Sequence, residues 1–258
     1  MTFIDYILSQ YQTFAFVLVR VAAIIMAVPI FGGSNVPNKV KIGLAFLISL
    51  ILLPLVKAAV PMPDSFIGIA VAMSGEVLLG IAIGLAARLV FAGVEVAGQV
   101  AGIQMGLGLA NVYNPQQQAQ LSVFAQFLNF MAVLIFLAIN GHHIFIMALA
   151  KSFDIVPPYG FHLSNALANG LLNMSSAIFA IAIKIAAPVI VALLLVNLAM
   201  GILARLVPQM NIFAIGFPIT ISAGFLALII SMPLLITVLE RLVSSLERDL
   251  FFILKAAG

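Results

Sequence analysis

Residues 99–120 read QVAGIQMGLGLANVYNPQQQAQ, and this stretch decides what kind of chain this is. It lies within residues 96–150, a run that carries no formal charge. Gly98, Gly102, Gly106 and Ala110 recur every fourth residue. On a helix they present one bare face that another backbone can approach closely. From Asn111 onward the stretch turns polar and amide-rich, and Asn114-Pro115 reads as a turn or helix breaker. A polar, uncharged segment between long apolar ones cannot face lipid, where its backbone groups would lack partners. It lies in protein or lines a water-filled cavity. The alternative is an ordinary exterior loop, although such loops usually carry charge and this one has none.

The rest of the chain sets the same terms. Hydrophobic residues make up 64% of the sequence and charged ones only 7%, against about 25% charged in soluble domains. With a mean hydropathy of +1.28, this is an integral membrane protein. The uncharged runs have helical length and lack the alternation of barrel strands, so the fold class is all-α and polytopic. The net charge of +3 gathers in no basic cluster, which leaves no footprint for nucleic acid. Cysteine is absent, which excludes disulfides, thiolate metal sites and cysteine nucleophiles. The first apolar stretch has Asp5 and no basic residue before Arg20, so it reads as a retained helix, not a cleaved signal.

About six long, kinked helices follow from the hydropathy pattern: 3–28, 39–56, a third from 65 past Glu95, 121–150, 164–205 and 212–239. Gly170 and Pro188 are expected to break the fifth, which at 1.5 Å per residue would otherwise reach roughly 60 Å, twice a hydrocarbon core. Pro218 and Pro233 are expected to kink the sixth. Beyond it, Leu239, Leu242, Val243, Leu246, Leu250, Ile253 and Leu254 recur at three- and four-residue spacing between charged residues. That pattern predicts a C-terminal amphipathic helix at an interface or on a partner's flank. The chain reads as one domain, 1–258. Basic residues number five on the side of the termini (Lys57, Lys151, Arg241, Arg248, Lys255) against three on the other (Lys39, Lys41, Arg205). This is a small bias toward cytoplasmic termini.

Candidate sites are few. Arg20, Glu76, Arg88, Glu95 and Lys184 fall in or near apolar helices, where an ionisable group must face protein or water. Ion pairing at subunit contacts or helix ends fits them better than a proton path, because no chain of Asp, Glu and His accompanies them. His142 and His143 are adjacent, point to different helix faces and lack a carboxylate pair; they read as a polar cap and not as a metal site. Gly80 and Gly84 form a GxxxG that adds to the Gly98–Ala110 ladder. Met105 offers a soft contact inside the glycine-rich stretch. Phosphate loops, paired carboxylates and nucleophile elbows are missing, so no enzyme and no cofactor is expected.

Gly102-Ile103-Gln104-Met105-Gly106 followed by Asn114-Pro115, and later Asn197-Leu198-Ala199-Met200-Gly201 through Arg205-Leu206-Val207-Pro208-Gln209-Met210-Asn211 to Ile215-Gly216-Phe217-Pro218, resemble the FliR family. These are the R subunits of the bacterial flagellar type III export gate, related to the T subunits of injectisomes. The resemblance covers nearly the whole chain. It departs at Asn114, where the family often has Asp, so a carboxylate there has no role in this chain. It implies a gating subunit in a hetero-oligomer with P and Q subunits (FliP-like and FliQ-like), with FlhB-like and FlhA-like subunits as further partners. Unfolded exported proteins would be the substrates, and the bacterial inner membrane, within the flagellar basal body, the location. The plug would comprise Gly102, Gln104, Met105, Gly106, Asn114, Pro115, Gln116, Gln117 and Gln118. Gly80, Gly84, Gly98 and Ala110 would pack helices, and Arg88, Glu95, Lys184 and Arg205 would meet neighbouring subunits. About 1–182 would be P-like, and about 183–258 a Q-like hairpin with its amphipathic tail. The resemblance also turns 205–211 toward the cytoplasm, against the small charge bias. A secondary transporter would also use broken helices and an uncharged midplane site, and a non-conducting scaffold would tolerate loss of the loop.

Overall fold

The computed structural model describes residues 3–32, 36–56, 65–107, 122–209 and 211–258. Every regular element among them is helical: α1 Phe3–Ala27, the short α2 Pro29–Gly32, α3 Asn38–Leu52 ending in a 3-10 turn Leu53–Leu55, and α4 Phe66–Gln104. α5 Val123–Ala138, α6 Gly141–Ile155, α7 Asn165–Leu206 and α8 Ile212–Ala257 complete the order. Among the described residues four helices are long and apolar enough to cross a membrane, up to five if α5 and α6 form one broken span. The protein is an all-α, polytopic membrane protein.

Four helix boundaries differ from the sequence expectation. The fourth segment is two helices, α5 and α6, which separate at Asn140, whose φ is 58°. Asn is among the few L-residues that enter the left-handed region readily, and the Asn-Gly pair that follows is a turn signal. Helix also extends past Ala150 to Ile155, so the connection is shorter than expected. α7 runs without a break through Gly170 and Pro188. A proline removes one ladder bond, and neighbouring groups in a membrane protein can satisfy the freed carbonyl. Likewise α8 continues through Pro218 and Pro233, and the amphipathic tail is its final stretch. There Leu246, Leu250, Ile253 and Leu254 are fully buried rather than laid on an interface.

The chain divides into two compact units. Unit 1 comprises Met1–Leu89, Asn140–Ser175 and Val243–Gly258, and unit 2 comprises Val90–Ile139 and Ser176–Leu242. In unit 1, α1 packs against α3 with Phe14 edge-on to Phe46 at 5.5 Å. α1 and α4 approach closely: a Cβ on Gly80 would stand 2.5 Å from Ala23 Cβ, and one on Gly84 would stand 2.1 Å from Ala27 Cβ.

An ion pair sits in the interior of this unit. Arg20 is 0% exposed and Glu76 1%, and Arg20 Nε donates to Glu76 Oε2. Arg20 Nη1 donates to the carbonyls of Ser152 and Val156, each at 2.9 Å, and its guanidinium lies 4.3 Å from the Phe153 ring centroid. A cation at the carbonyl end of α6 meets the negative pole of that helix. Glu76 Oε1 accepts the Tyr159 N–H at 3.3 Å. Burial, and then the Glu76 charge, raise the Tyr159 phenol above its ordinary value.

Because two buried charges leave one uncompensated when a partner is removed, Arg20→Met should cost about 3–5 kcal/mol, while Arg20→Met with Glu76→Met should recover most of the loss. Unfolding of the purified variants in detergent measures this, and equal stability of the single and double variants would contradict it.

Candidate functional site

The site belongs to unit 2 and is built where α4 ends. Gly106, with φ +82°, stops the helix: its N–H donates to Ile103 O at 3.0 Å and that of Leu107 to Gly102 O at 2.9 Å. This is the Schellman pattern, with glycine in the left-handed seat. The chain returns at Ser122, the N-cap of α5, whose hydroxyl accepts from Ala125 N at 3.1 Å. The Ser122 N–H in turn donates to Gln99 Oε1 at 3.3 Å. A Cβ on Gly102 would stand 2.5 Å from Ser122 Oγ, and one on Gly98 would lie 2.5 Å from Ala125 Cα. The bare face of α4 therefore receives the first turn of α5, so that Ser122 stands against Gly102 in the last turn of α4.

α8 forms the other wall. Phe217, Thr220 and Gly224 share a helix face by their spacing. A Cβ on Gly106 would lie 2.8 Å from the Phe217 ring, and a Cβ on Gly224 would lie 2.7 Å from Met105 Sδ. Thr220 Oγ1 donates to Met105 O at 3.3 Å. Met105 is 0% exposed, its thioether filling the space that Gly224 leaves open. Phe225 meets Phe124 edge-on at 5.5 Å and Phe127 at 6.2 Å, closing the seat beside α5.

Gly102, Gln104, Met105 and Gly106 thus stand at the base of the segment, with Gln104 exposed. Ala110, Asn114, Pro115, Gln116, Gln117 and Gln118 lie outside the described residues. Arg88, Lys184 and Arg205 are exposed and Glu95 is half-buried; among the described residues none of the four pairs with an opposite charge. His142 and His143 open α6, their rings 4.3 Å apart. Among the described residues no group of three or more His, Asp or Glu is placed to hold a metal ion. Ser122, Thr220 and Gly224 are absent from the residues singled out in the sequence, and Phe217 was named there only within the Ile215–Pro218 motif. The i, i+3, i+7 spacing of Phe217, Thr220 and Gly224 was the available signal.

The fold and the site define a multi-span α-helical membrane protein in which small residues fix both ends of one uncharged, amide-rich segment. The chain belongs to the bacterial export proteins, family 1, whose family model matches residues 11–246. It is 36% identical over 239 residues to the flagellar biosynthetic protein FliR of Escherichia coli (strain K12), covering 93% of this chain and 91% of that one. It is also similar to the protein of the same name from Bacillus subtilis (strain 168), at 33% over 246 residues, 92% and 93% of the two chains. The Aquifex aeolicus (strain VF5) protein of that name shares 31% over 216 residues, 84% and 83% of the two chains.

A branched side chain at Gly102 has nowhere to go but into Ser122, so Gly102→Leu should destabilise the fold by roughly 1–3 kcal/mol, whereas Met105→Leu, nearly equal in volume, should cost under about 1.5 kcal/mol. Thermal unfolding in detergent reads both. A Gly102→Leu protein as stable as the parent would remove the close approach from the description.

Proposed function

We propose that this chain is a gating subunit of a flagellar type III protein-export channel in a bacterial inner membrane, and that segment 108–121 helps to close its path. The observation that carries the reading is the seat itself. Both ends of an uncharged segment are held at one point, by Gly102, Gly106 and Met105 on one side and Ser122 on the other. A segment anchored in this way can be displaced by a passing chain without unfolding the helices that hold it. Its composition suits that duty. Gln116, Gln117 and Gln118 offer donors and acceptors to neighbouring loops without the desolvation cost of charge. Glycines at 106 and 108 allow the backbone to redirect. A closed state held by such contacts is favoured by only a few kcal/mol, within reach of a substrate that prefers the open one. The relatives named as flagellar biosynthetic proteins support the choice of export system.

In this reading the partners are FliP-like and FliQ-like subunits, with FlhB-like and FlhA-like subunits further out, and unfolded protein is the cargo. Residues 1–182 correspond to a P-like part and 183–258 to a Q-like hairpin with its tail. Arg88, Glu95, Lys184 and Arg205, which find no opposite charge among the described residues, turn toward those neighbours. The large exposed apolar side chains of α7, Leu194, Leu195 and Leu198 among them, are covered in the same way.

Co-expression with FliP-like and FliQ-like subunits, followed by native mass measurement in mild detergent, tests the assignment. A complex containing all three is expected, and the chain alone is expected to be short-lived. A monodisperse, long-lived monomer that ignores the other two subunits would overturn it.

A further inference from the structure

Pro157, Pro158, Tyr159 and Gly160 form a turn in unit 1 closed by the Gly160 N–H on Pro157 O at 2.9 Å. Tyr159 holds the third position with φ +72°. A turn with proline second and positive φ third is of type II, and that third seat is normally taken by glycine or asparagine. A bulky L-residue there is strained, and this chain places its glycine one position later. The conformation is held from outside the turn. The Tyr159 ring rests 4.6 Å from the Phe16 ring on α1, and its N–H is taken by Glu76 Oε1 on α4. Glu76 is itself fixed by Arg20, which also grips the Ser152 and Val156 carbonyls just before the turn. Gly75 lets the next part of the turn cross α4, since a Cβ there would stand 3.2 Å from Phe161 Cβ.

The turn in turn carries the end of α8. His162 N donates to Ala257 O at 2.7 Å, and Ser164 Oγ donates to Ala256 O at 2.5 Å. We infer that Tyr159 is a strained latch: Arg20 and Glu76 hold the 157–161 turn in a conformation it would otherwise leave, and through it they fix the docked end of the last helix. Loss of the Glu76 contact lets Tyr159 relax to negative φ, and His162 and Ser164 withdraw together from the α8 terminus. Arg20 and Glu76 act here as positioning residues, through Tyr159.

Because the chain has no cysteine, His162→Cys with Ala257→Cys gives a clean reporter, and the rate of disulfide trapping in membranes reads the latch per unit of chain present. Three backgrounds are compared: the parent, Arg20→Met with Glu76→Met, and that pair with Tyr159→Gly. Trapping should slow roughly fivefold or more when the pair is removed, and glycine, which occupies the left-handed seat without strain, should restore it to within about twofold of the parent. Glu76→Leu with and without Tyr159→Gly repeats the comparison with Arg20 still bonded to the α6 carbonyls. Unchanged trapping without the pair would show that it does not hold the turn. A loss that glycine fails to restore would show ordinary structural support in place of stored strain. Either result overturns the latch.

Discussion

Helices surrounded by hydrocarbon gain little by burying apolar area against one another, because lipid tails are as apolar as leucine. Close van der Waals approach and internal hydrogen bonding are what remain. This chain meets that constraint with glycines at the points of nearest approach. In unit 1, Gly80 and Gly84 admit α1. In unit 2, Gly98 and Gly102 admit the first turn of α5, and Gly224 admits the Met105 thioether. The last three contacts hold the described residues on either side of segment 108–121. If Gly102 could not approach Ser122, the N-cap that starts α5 and the Schellman turn that ends α4 would no longer share a seat, and 108–121 would not be held at both ends.

The same scarcity of solvent explains where charge goes. Arg20 and Glu76 are buried together, each supplied with further bonds from the Ser152 and Val156 carbonyls and the Tyr159 N–H. A buried pair of this kind adds little net stability relative to apolar side chains of similar size, so its value lies in fixing one arrangement. The turn that it fixes contains a tyrosine in a glycine's position and carries the end of α8. Arg88 and Lys184, which meet no opposite charge among the described residues, lie instead on exposed surface.

Much of this was legible in the residues. Composition gave the membrane class and the helical fold, and four-residue glycine spacing marked the face of α4 at Gly98 and Gly102, but not at Gly106, where the helix has already ended and φ is +82°; Ala110 lies outside the described residues. The uncharged run with its amides marked the segment to be held. What escaped depends on long-range contacts. Proline 188 looks like a helix end in isolation, yet it continues α7 because one missing bond is a small loss in a long packed helix. Asn140-Gly141 was visible as a turn signal, but a continuous apolar pattern on both sides hid the break. The α8 wall of the seat has the plain composition of any buried helix, and only tertiary placement shows that Phe217, Thr220 and Gly224 face Met105 and Gly106. Nothing local marks Tyr159, because its positive φ is imposed by α1 and α4.

The claim on which the functional account turns is that the segment held at Gly102 and Ser122 closes a path. Ion conductance across planar bilayers containing the purified complex addresses it directly, with residues 108–118 deleted from this chain and the complex otherwise intact. The account predicts that the deleted complex conducts in the absence of any exported protein while the parent stays closed. A deleted complex as tight as the parent would contradict it and leave the segment a structural connection in a scaffold.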